Sequence, residues 1–465
     1  MGQDVMDWAR SEFLGTPGLE KRWQDRLVRT AAALATRPSG SLPQRFDWKE
    51  LKGAYRLVDR AAARPEAVQE VHRQRTRERV AAVAGPVLMI HDSTVLNFSA
   101  HTAVCAQLGL ITDAQTRGFI QHNSLAVDPT RGELLGLIHQ QTFCREPQPE
   151  GETRARRYYR ADRESRIWLE GVQAVGRMPD DACWVHVGDR AADFFGLMAT
   201  ALETNSHFLI RLVQDRKATD AADDVVHLMQ AARAMPATST GTVEVTSRGG
   251  RPGRIAQVCL GSMRLTVRPP SKEPIWRSRA PLTITVVRIW EPEPPPGVEP
   301  LEWVLGTDLT DQSAAALARY QSWYEWRWPA MEEYHKVQKT GCGIENIRFE
   351  TKERLLAAIA LLSVIAVRVL GLRWAREAHG DEPATAVASP EELDMLAALA
   401  PHKPPVRTVR MFVDRVAGLG GFLGRKCDGR PGWQSLWRGY QRLADLVLGA
   451  NLAQTRNKPK PLNCG

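Results

Sequence analysis

The chain has 465 residues, of which 43% are hydrophobic and 25% charged, so it is globular and long enough for two or three domains. Its formal net charge is +9, and basic residues cluster at 71–80, 154–160 and 247–254, which favours a polyanionic partner. Seven cysteines without a CxxC pair argue against a zinc ribbon or a disulfide framework and fit a reducing cytoplasm.

The first 70 residues predict a small helical module with a basic surface. They begin MGQDVMDWARSEF, which is acidic and amphipathic and does not resemble a signal peptide. Apolar residues recur at helical spacing in 8–13, 20–34 and 48–58, and Pro65 marks a turn. We therefore expect three helices within these residues.

Predicted strands begin at Pro86. The apolar run VLMIH ends in Asp92, and strands at 119–128 and 134–143 follow as an antiparallel pair. A helix at 161–175 leads to another apolar strand, WVHVG, which ends at Asp189, and a further helix starts near Ala191. Asp92 and Asp189 are thus both predicted at the ends of buried strands, where mixed sheets bind ligands.

The second half of the chain predicts a β insertion followed by helices. The strands TVEVTS, IAQVCL, LTVRP, LTITVVRIW and LEWVLGT, separated by Gly/Pro turns, suggest an antiparallel insertion at about 212–308. Helices resume at Ser313, and the longest apolar run, 355–367, is shorter than the roughly 18 residues that cross a bilayer. It predicts a core helix. The tail from 376 is helical, with a Gly-rich break at 418–424 and a Trp-rich helix at 433–448.

The segment YEWRWPAMEEYHKVQK, residues 324–339, predicts one helix with an unusual face. Glu332 and Lys339 are seven residues apart, so a period of 3.6 residues puts them on the same side, with His335 and Lys336 beside them. Such a face can hold a metal and a phosphate together. The alternative is a solvated face with weak Glu/Lys ion pairs.

Asp92, Asp189 and Glu332 together indicate metal chemistry. Three carboxylates from two strand ends and one helix can hold two divalent cations, which prefer hard oxygen ligands. Two such ions suit the in-line displacement of a phosphodiester. Taken singly, Asp92 has a simpler interpretation as a turn residue, and Asp189 or Asp193 as a cap or as the partner of Arg190.

The same residues belong to a longer, ordered set of motifs. Over nearly its whole length the chain resembles the bacterial insertion-sequence transposases of the DDE type, in the subgroup marked by a Tyr-Arg-Glu-Lys motif. The motifs are DWARSEF, GAYRLV, MIHDST, GLIHQQ, VGDRAAD, FLIR, LEWVLGT, the segment 324–339 with KTGCGIE, LSVIAVRVL, LGGFLG and GWQSLWRGY. The resemblance implies an α/β fold with a ribonuclease-H-like mixed-sheet core, interrupted by the β insertion.

The resemblance also implies three domains with different functions. Residues 1–70 would be a helical domain that binds transposon ends, 71–375 the catalytic core and 376–465 a helical dimerisation domain. Within the core, Asp92, Asp189 and Glu332 would form the catalytic, metal-binding triad. The implied or candidate DNA-binding residues are Tyr324, Arg327 and Lys339 at phosphates near the cleaved strand, Trp303 on a flipped base, and Lys336, Arg211 and Arg348 elsewhere on the DNA. For Trp303, the alternative is packing within its own sheet.

One spacing departs from the family pattern. Four residues separate Arg327 from Glu332, where the family has three, whereas Glu332 keeps the family spacing to Lys339 and Glu333 does not. We therefore prefer Glu332 as the third acid. Because proline suits the first turn of a helix, the extra residue could be absorbed before a helix that begins near Pro329. In a continuous α-helix, Arg327 would instead be rotated by about 100°.

The expected function is cut-and-paste DNA transposition by a homodimer that binds transposon-end and target DNA. The implied cofactor is Mg²⁺, with Mn²⁺ as a substitute, and two ions are expected. End cleavage would free a 3′-hydroxyl that attacks the opposite strand, giving a hairpin, or target DNA. The alternatives are a catalytically silent end-binding protein and a metal-dependent nuclease of the same core fold. The expected location is the bacterial cytoplasm, on the nucleoid, with no membrane partner.

Overall fold

A computed structural model describes residues 5–36, 41–112, 115–145, 149–153, 156, 164–245, 253–425 and 429–456. The fold is mixed α/β: one large sheet carries helices on its faces and helical regions at both ends of the chain. The predicted helix at 161–175 is described only from Glu164, and the last residues of the predicted strand TVEVTS lie outside the described ranges.

The strands form a twelve-stranded sheet in the order β2-β3-β1-β5-β6-β12-β11-β10-β7-β8, with β4 paired to β3 and β9 to β10. Their bounds are β1 Pro86–Asn97, β2 Gly109–Leu110, β3 Arg117–Asp128, β4 Glu133–Phe143, β5 Cys183–Gly188, β6 His207–Arg211, β7 Lys217–Thr219, β8 Val225–His227, β9 Ser239–Val245, β10 Arg254–Val267, β11 Leu282–Trp290 and β12 Glu302–Thr307. The antiparallel pair β3/β4 and the β-rich segment before residue 308 agree with the sequence prediction.

The described α-helices are α1 Val5–Phe13, α2 Lys21–Thr36, α3 Leu42–Arg45, α4 Trp48–Ala61, α5 Glu70–Ala81, α6 Thr102–Cys105, α7 Glu164–Val175, α8 Phe195–Glu203, α9 Leu228–Ala234, α10 Ala314–Glu325, α11 Glu333–Lys336, α12 Lys352–Ala378, α13 Pro390–Leu399, α14 Val409–Leu419 and α15 Trp433–Arg456. The predicted N-terminal helices are present with slightly extended ends. In α4, for example, Asp47 caps the first turn by accepting a hydrogen bond from the Glu50 amide.

Asp92 does not end its strand, contrary to the prediction. The strand β1 continues to Asn97 because the antiparallel partner β3 pairs with it throughout, and Asp92 lies opposite Asn123. The parallel partner β5, however, pairs only as far as Ile90. Asp92 is therefore placed where the neighbouring strand stops, and Asp189 directly follows that stop.

IAQVCL and the first three residues of LTVRP are also not separate strands, because both lie in the single strand β10. The glycine between them, Gly261, does not make a turn. A side chain there would meet the Pro236 carbonyl oxygen at 2.5 Å, so glycine permits a close approach of the backbone. The β insertion joins the same sheet through β12, which pairs antiparallel with β6.

The long helix α12 forms the centre of the largest apolar core, which also contains residues of α1, α2, β1, β3 and the helices around residue 330. It is long and apolar enough to cross a membrane, but 83% of its most apolar window is buried inside the protein. A buried core helix passes the same length and composition test. The C-terminal helices α13 to α15 form a separate cluster with the end of α12, Leu372 and Ala375.

Candidate active site

Three acidic side chains are carried by three different elements on one side of the sheet. Asp92 projects from β1, Asp189 follows β5, and Glu332 ends the helical turn after α10. The Asp189 side chain is fixed by a hydrogen bond from the Ala191 amide at 2.8 Å. Side-chain exposure of 18% for Asp92 and 30% for Asp189 leaves both carboxylates reachable from solvent.

Arg327 lies between the two aspartates. Its Nη2 atom donates to Asp92 Oδ2 at 3.2 Å and lies 3.9 Å from Asp189 Oδ2. The guanidinium also lies 5.6 Å from the Tyr324 ring centre, and its own side chain is only 7% exposed. A buried guanidinium of this kind needs nearby negative charge, and the two carboxylates supply it.

The extra residue between Arg327 and Glu332 is accommodated by a π-helical turn. Residues Arg327–Glu332 form this turn, in which the Glu333 amide donates to the Trp328 carbonyl five residues back. The sequence prediction of a helix that begins near Pro329 is wrong, because helical structure runs from α10 through the π turn into α11. A π turn holds about one residue more than an α turn, so Arg327 still points at Asp92. Pro329 favours the wider turn because it lacks an amide hydrogen.

A second π turn, Val337–Gly341, follows α11. There the Cys342 amide donates to the Val337 carbonyl at 2.7 Å, again five residues back. The segment 324–339 is therefore not the single regular helix that its periodicity predicted. Lys339 lies in this second turn and is half-buried.

The surroundings of Asp92 disfavour its charged form even though Arg327 is nearby. Burial raises the pKa of Asp92 to about 6, with the Arg327 guanidinium opposing the rise and the Asp189 and Glu332 carboxylates adding to it. Glu332 is thus an electrostatic neighbour of Asp92. A site of this character binds further cations favourably, since they relieve repulsion among its carboxylates.

The neighbouring acid, Glu333, is engaged elsewhere. It forms an ion pair with Arg373 of α12, and burial raises its pKa while Arg373 opposes the rise. This contact ties α11 to the core helix. It also favours Glu332 as the acid that faces the aspartates.

The carboxylate donors of the three acids suit a hard divalent cation. Within the described ranges, no three His, Cys, Asp or Glu side chains converge closely enough to hold a metal ion. The Arg327 guanidinium bridges Asp92 and Asp189 and stands in for a cation there. Carboxylates that already bind one cationic group fit Mg²⁺ or Mn²⁺ by their chemistry.

The aromatic residues predicted near the site form a closed cluster. Trp303 is 6% exposed and packs on Tyr324 and Trp328, with ring centres 5.5 and 5.1 Å away. Tyr324 is fully buried, and burial raises its pKa. In this arrangement the Trp303 indole is covered by its aromatic neighbours. A base could stack on it only by displacing part of the cluster.

The remaining predicted DNA-binding residues are spread more widely. Arg211, at the end of β6, donates to the Glu302 carbonyl at 3.0 Å and lies close enough to Tyr324 to affect its pKa. Lys336 and Arg348 are exposed. Among the described hydrogen bonds and ion pairs, none joins Lys336, Lys339 or Arg348 to the three acids.

The sequence interpretation missed a layer of buried polar residues beneath the acids. His91 contacts His186 at 2.8 Å, Ser124 contacts His91 at 2.8 Å, and His122 contacts Ser93 at 2.9 Å. Because side chains alternate along a strand, this layer lies on the opposite face of β1 from Asp92. The available signal was a histidine directly before Asp92 and another three residues before Asp189.

Two protein-family models match the chain, one near each end. Residues 5–63 match a transposase DNA-binding family, and residues 364–459 match the Tn5 transposase dimerisation domain. A chain with both domains is a DNA transposase. More particularly, the two terminal domains support a transposase of the Tn5 type, with DNA as a partner and a dimeric assembly.

The solved structures that the chain resembles include that of another transposase. It is the cryo-EM structure of the piggyBac transposase synaptic complex with hairpin DNA, with a TM-score of 0.36 and 9% sequence identity. The alignment covers 96% of this chain and 74% of the other.

The raised pKa of Asp92 predicts a change of stability with pH. Between the ordinary value of 3.8 and about 6, the folded protein keeps a proton that the unfolded chain has lost, so stability falls as pH rises through this window. Asp92→Asn removes this loss. Relative to wild type, the variant should gain about 2–3 kcal/mol between pH 3.5 and 7.5 in metal-free buffer.

This gain can be measured by urea unfolding in the presence of a chelator. Asp381→Asn is the matched control, because the Asp381 side chain is 98% exposed. The control should follow the wild-type curve at every pH. If the free energy of unfolding changes with pH in the same way for Asp92→Asn and wild type, the electrostatic description of the site is contradicted.

The π turn makes a second prediction, about deletion. Removing Pro329 takes out both the extra residue and the helix breaker, so the segment can close as an α-helix with Arg327 and Glu332 still facing the aspartates. The thermal stability should stay within about 1 kcal/mol of wild type. Deleting Ala358 from the regular helix α12 should cost more than about 4 kcal/mol, because every later residue rotates by about 100°. Equal losses in the two deletions would rule out this role of the π turn.

Proposed function

We propose that the protein is a DDE-type transposase that moves its own element by a metal-dependent cut-and-paste reaction. The observation that carries the proposal is the Arg327 guanidinium between Asp92 and Asp189, with Glu332 close enough to affect the pKa of Asp92. The terminal DNA-binding and dimerisation domains supply the rest of the machinery that such a reaction needs. The proposed steps are end cleavage, excision through a hairpin, and strand transfer.

A ribonuclease-H-like core is the proposed description of the central fold. It is supported by three antiparallel strands, β1, β3 and β4, followed by β5 and β6, which run parallel to β1. Asp92 and Asp189 belong to adjacent strands in this arrangement. We also propose the Tyr-Arg-Glu-Lys subgroup, with Tyr324, Arg327, Glu332 and Lys339 as its motif, and a likeness to the cut-and-paste transposase of a kanamycin-resistance composite transposon.

The proposed mechanism uses two divalent cations, either Mg²⁺ or Mn²⁺. They would be held by the carboxylates of Asp92, Asp189 and Glu332. Bound there, the ions would supply Lewis-acid stabilisation for both the attacking and the leaving oxygen. The same three acids serve hydrolysis and transesterification, since both reactions displace an oxygen at phosphorus. Arg327 would leave its place between the aspartates and turn its guanidinium to a DNA phosphate, which it can bind through two hydrogen bonds.

The hairpin step gives Trp303 its proposed role. An indole face is suited to stacking on a base that has been turned out of the duplex. Since Trp303 now packs on Trp328 and Tyr324, base insertion would have to separate the two indoles. Lys339, Lys336, Arg211 and Arg348 are the further proposed DNA contacts.

The proposed partners are the element's ends and target DNA, bound by a homodimer on the bacterial nucleoid and without a membrane. The only feature that favours a silent end-binding protein is the spacing between Arg327 and Glu332, which is one residue longer than in the family pattern. That support is removed, because the π turn returns Arg327 to Asp92. A simple nuclease of the same fold would cut DNA without ever joining donor and target strands.

The test is a cleavage and joining assay with the inverted repeats that flank the reading frame, Mg²⁺ or Mn²⁺, and target DNA. Asp92→Ala, Asp189→Ala and Glu332→Ala should each lower end cleavage by roughly 1000-fold or more, because each removes a proposed metal ligand. Asp381→Ala, with the same change of charge at an exposed site, should cleave like wild type.

The products separate the candidate functions. Joined donor–target strands support the transposase, and cleavage without joining supports the nuclease. End binding without any metal-dependent nick would favour the silent protein. Full activity in one of the three alanine variants would remove that residue from the proposed triad.

A further inference from the structure

A continuous chain of hydrogen bonds, buried at its centre, runs from α5 to the helical segment that carries Glu332. Arg73 contacts Gln69 at 2.8 Å, Gln69 contacts Gln140 at 2.7 Å, Gln140 contacts Asn123 at 2.7 Å, and Asn123 contacts His335 at 3.0 Å. The side chains of Gln69, Asn123 and Gln140 are all buried. We call these five residues the amide relay.

The direction of every bond in the amide relay is fixed by its first residue. A guanidinium can only donate, so the Gln69 oxygen must face Arg73. The Gln69 NH₂ group then donates to Gln140 and also to the Ala360 carbonyl at 3.0 Å, which can only accept. Gln140 must in turn donate to the Asn123 oxygen, and Asn123 must present its NH₂ group to His335.

This direction determines which nitrogen of His335 carries the proton. The Nε2 atom accepts from Asn123, so in the neutral ring the hydrogen is on Nδ1. Burial, with the nearby charges of Lys339 and Arg327, lowers the pKa of His335 to about 3, so the ring is neutral at physiological pH. His335 therefore offers one neutral N–H donor.

The position of this donor suggests its use. His335 follows Glu332 by three residues, about one helical turn, and its side chain is partly exposed. Among the described contacts, none occupies its Nδ1 atom. The two cations that act on it electrostatically, Lys339 and Arg327, are both proposed phosphate contacts.

We propose that the amide relay holds His335 in the Nδ1–H form so that this nitrogen donates a hydrogen bond to a phosphate of the bound DNA strand, beside Glu332. The phosphate rests on the proposed function, whereas the tautomer does not. A neutral donor adds directionality to the site without more positive charge near the acids. Asn123, Gln140 and Gln69 are then positioning residues that act through His335.

The tautomer is tested on the free protein, without DNA or metal. The ¹⁵N spectrum of histidine-labelled protein, assigned by the signal lost in His335→Asn, should show a proton on Nδ1. In Gln140→Glu, the new carboxylate can only accept, so Asn123 must turn its NH₂ group toward it and its oxygen toward His335. We expect the proton to move to Nε2.

The exposed residue Gln107 provides the control, because Gln107→Glu makes the same chemical change outside the amide relay. Its His335 signal should match wild type. A wild-type protein with the proton on Nε2, or an unchanged tautomer in Gln140→Glu, would overturn the proposal. The tautomer experiment does not test the transposase reaction, and the cleavage assay does not test the tautomer. The two proposals can therefore fail separately.

The phosphate contact is tested by two substitutions with opposite expectations. His335→Asn keeps an N–H near the Nδ1 position but is too short to reach Asn123, whereas His335→Gln reaches Asn123 but lacks that donor. Binding of a synthetic end duplex should weaken by roughly 10- to 100-fold in His335→Gln and far less in His335→Asn. The reverse order would show that His335 serves only the packing of the relay.

A scan with single methylphosphonates locates the contacted phosphate. A methylphosphonate at one position near the cleavage site should weaken DNA binding by the wild-type protein but not by His335→Gln. The two changes remove the same hydrogen bond, so their effects do not add. If every methylphosphonate weakens both proteins equally, His335 does not bind a phosphate.

Discussion

The architecture of the site depends on one ionic contact, the Arg327 guanidinium between Asp92 and Asp189. Burial raises the pKa of Asp92, repulsion from the Asp189 and Glu332 carboxylates adds to the rise, and the Arg327 guanidinium opposes it. The contact requires that β1 and β5 lie side by side in parallel and that the helix after α10 present Arg327 toward them. The π turn meets the second requirement, and the Glu333–Arg373 ion pair fixes the same segment to the core helix α12.

Much of this could be predicted from the sequence, and the failures have physical causes. Apolar periodicity located the N-terminal helices, the strands around Asp92 and Asp189 and the core helix, because those patterns reflect burial directly. The apolar run VLMIH ends at Asp92 and so predicts a strand end there, but β3 continues to pair with β1 beyond it. The π turn was missed because a single period of 3.6 residues cannot describe a local change of helix type. The amide relay has no sequence signal, since its members lie far apart in the chain and meet only in the fold.

The terminal domains and the central site support one function by independent routes. The family matches cover the two ends of the chain and identify a DNA transposase, whereas the acidic cluster lies between them. At the central site, the Arg327 guanidinium lies between Asp92 and Asp189, and the Trp303 indole packs on Trp328 and Tyr324. In the proposed reaction, a metal ion and a flipped base would replace contacts that these side chains make with one another.

The most direct test is a titration of the DNA-free protein with Mn²⁺, followed by electron paramagnetic resonance. If Arg327 stands in for a cation, Arg327→Gln should bind Mn²⁺ roughly tenfold more tightly than wild type, because a competing charge worth about 1.4 kcal/mol is removed. Asp189→Ala should bind it more weakly than wild type. Equal affinities in all three proteins would contradict the claim that these carboxylates form the metal site of the transposase.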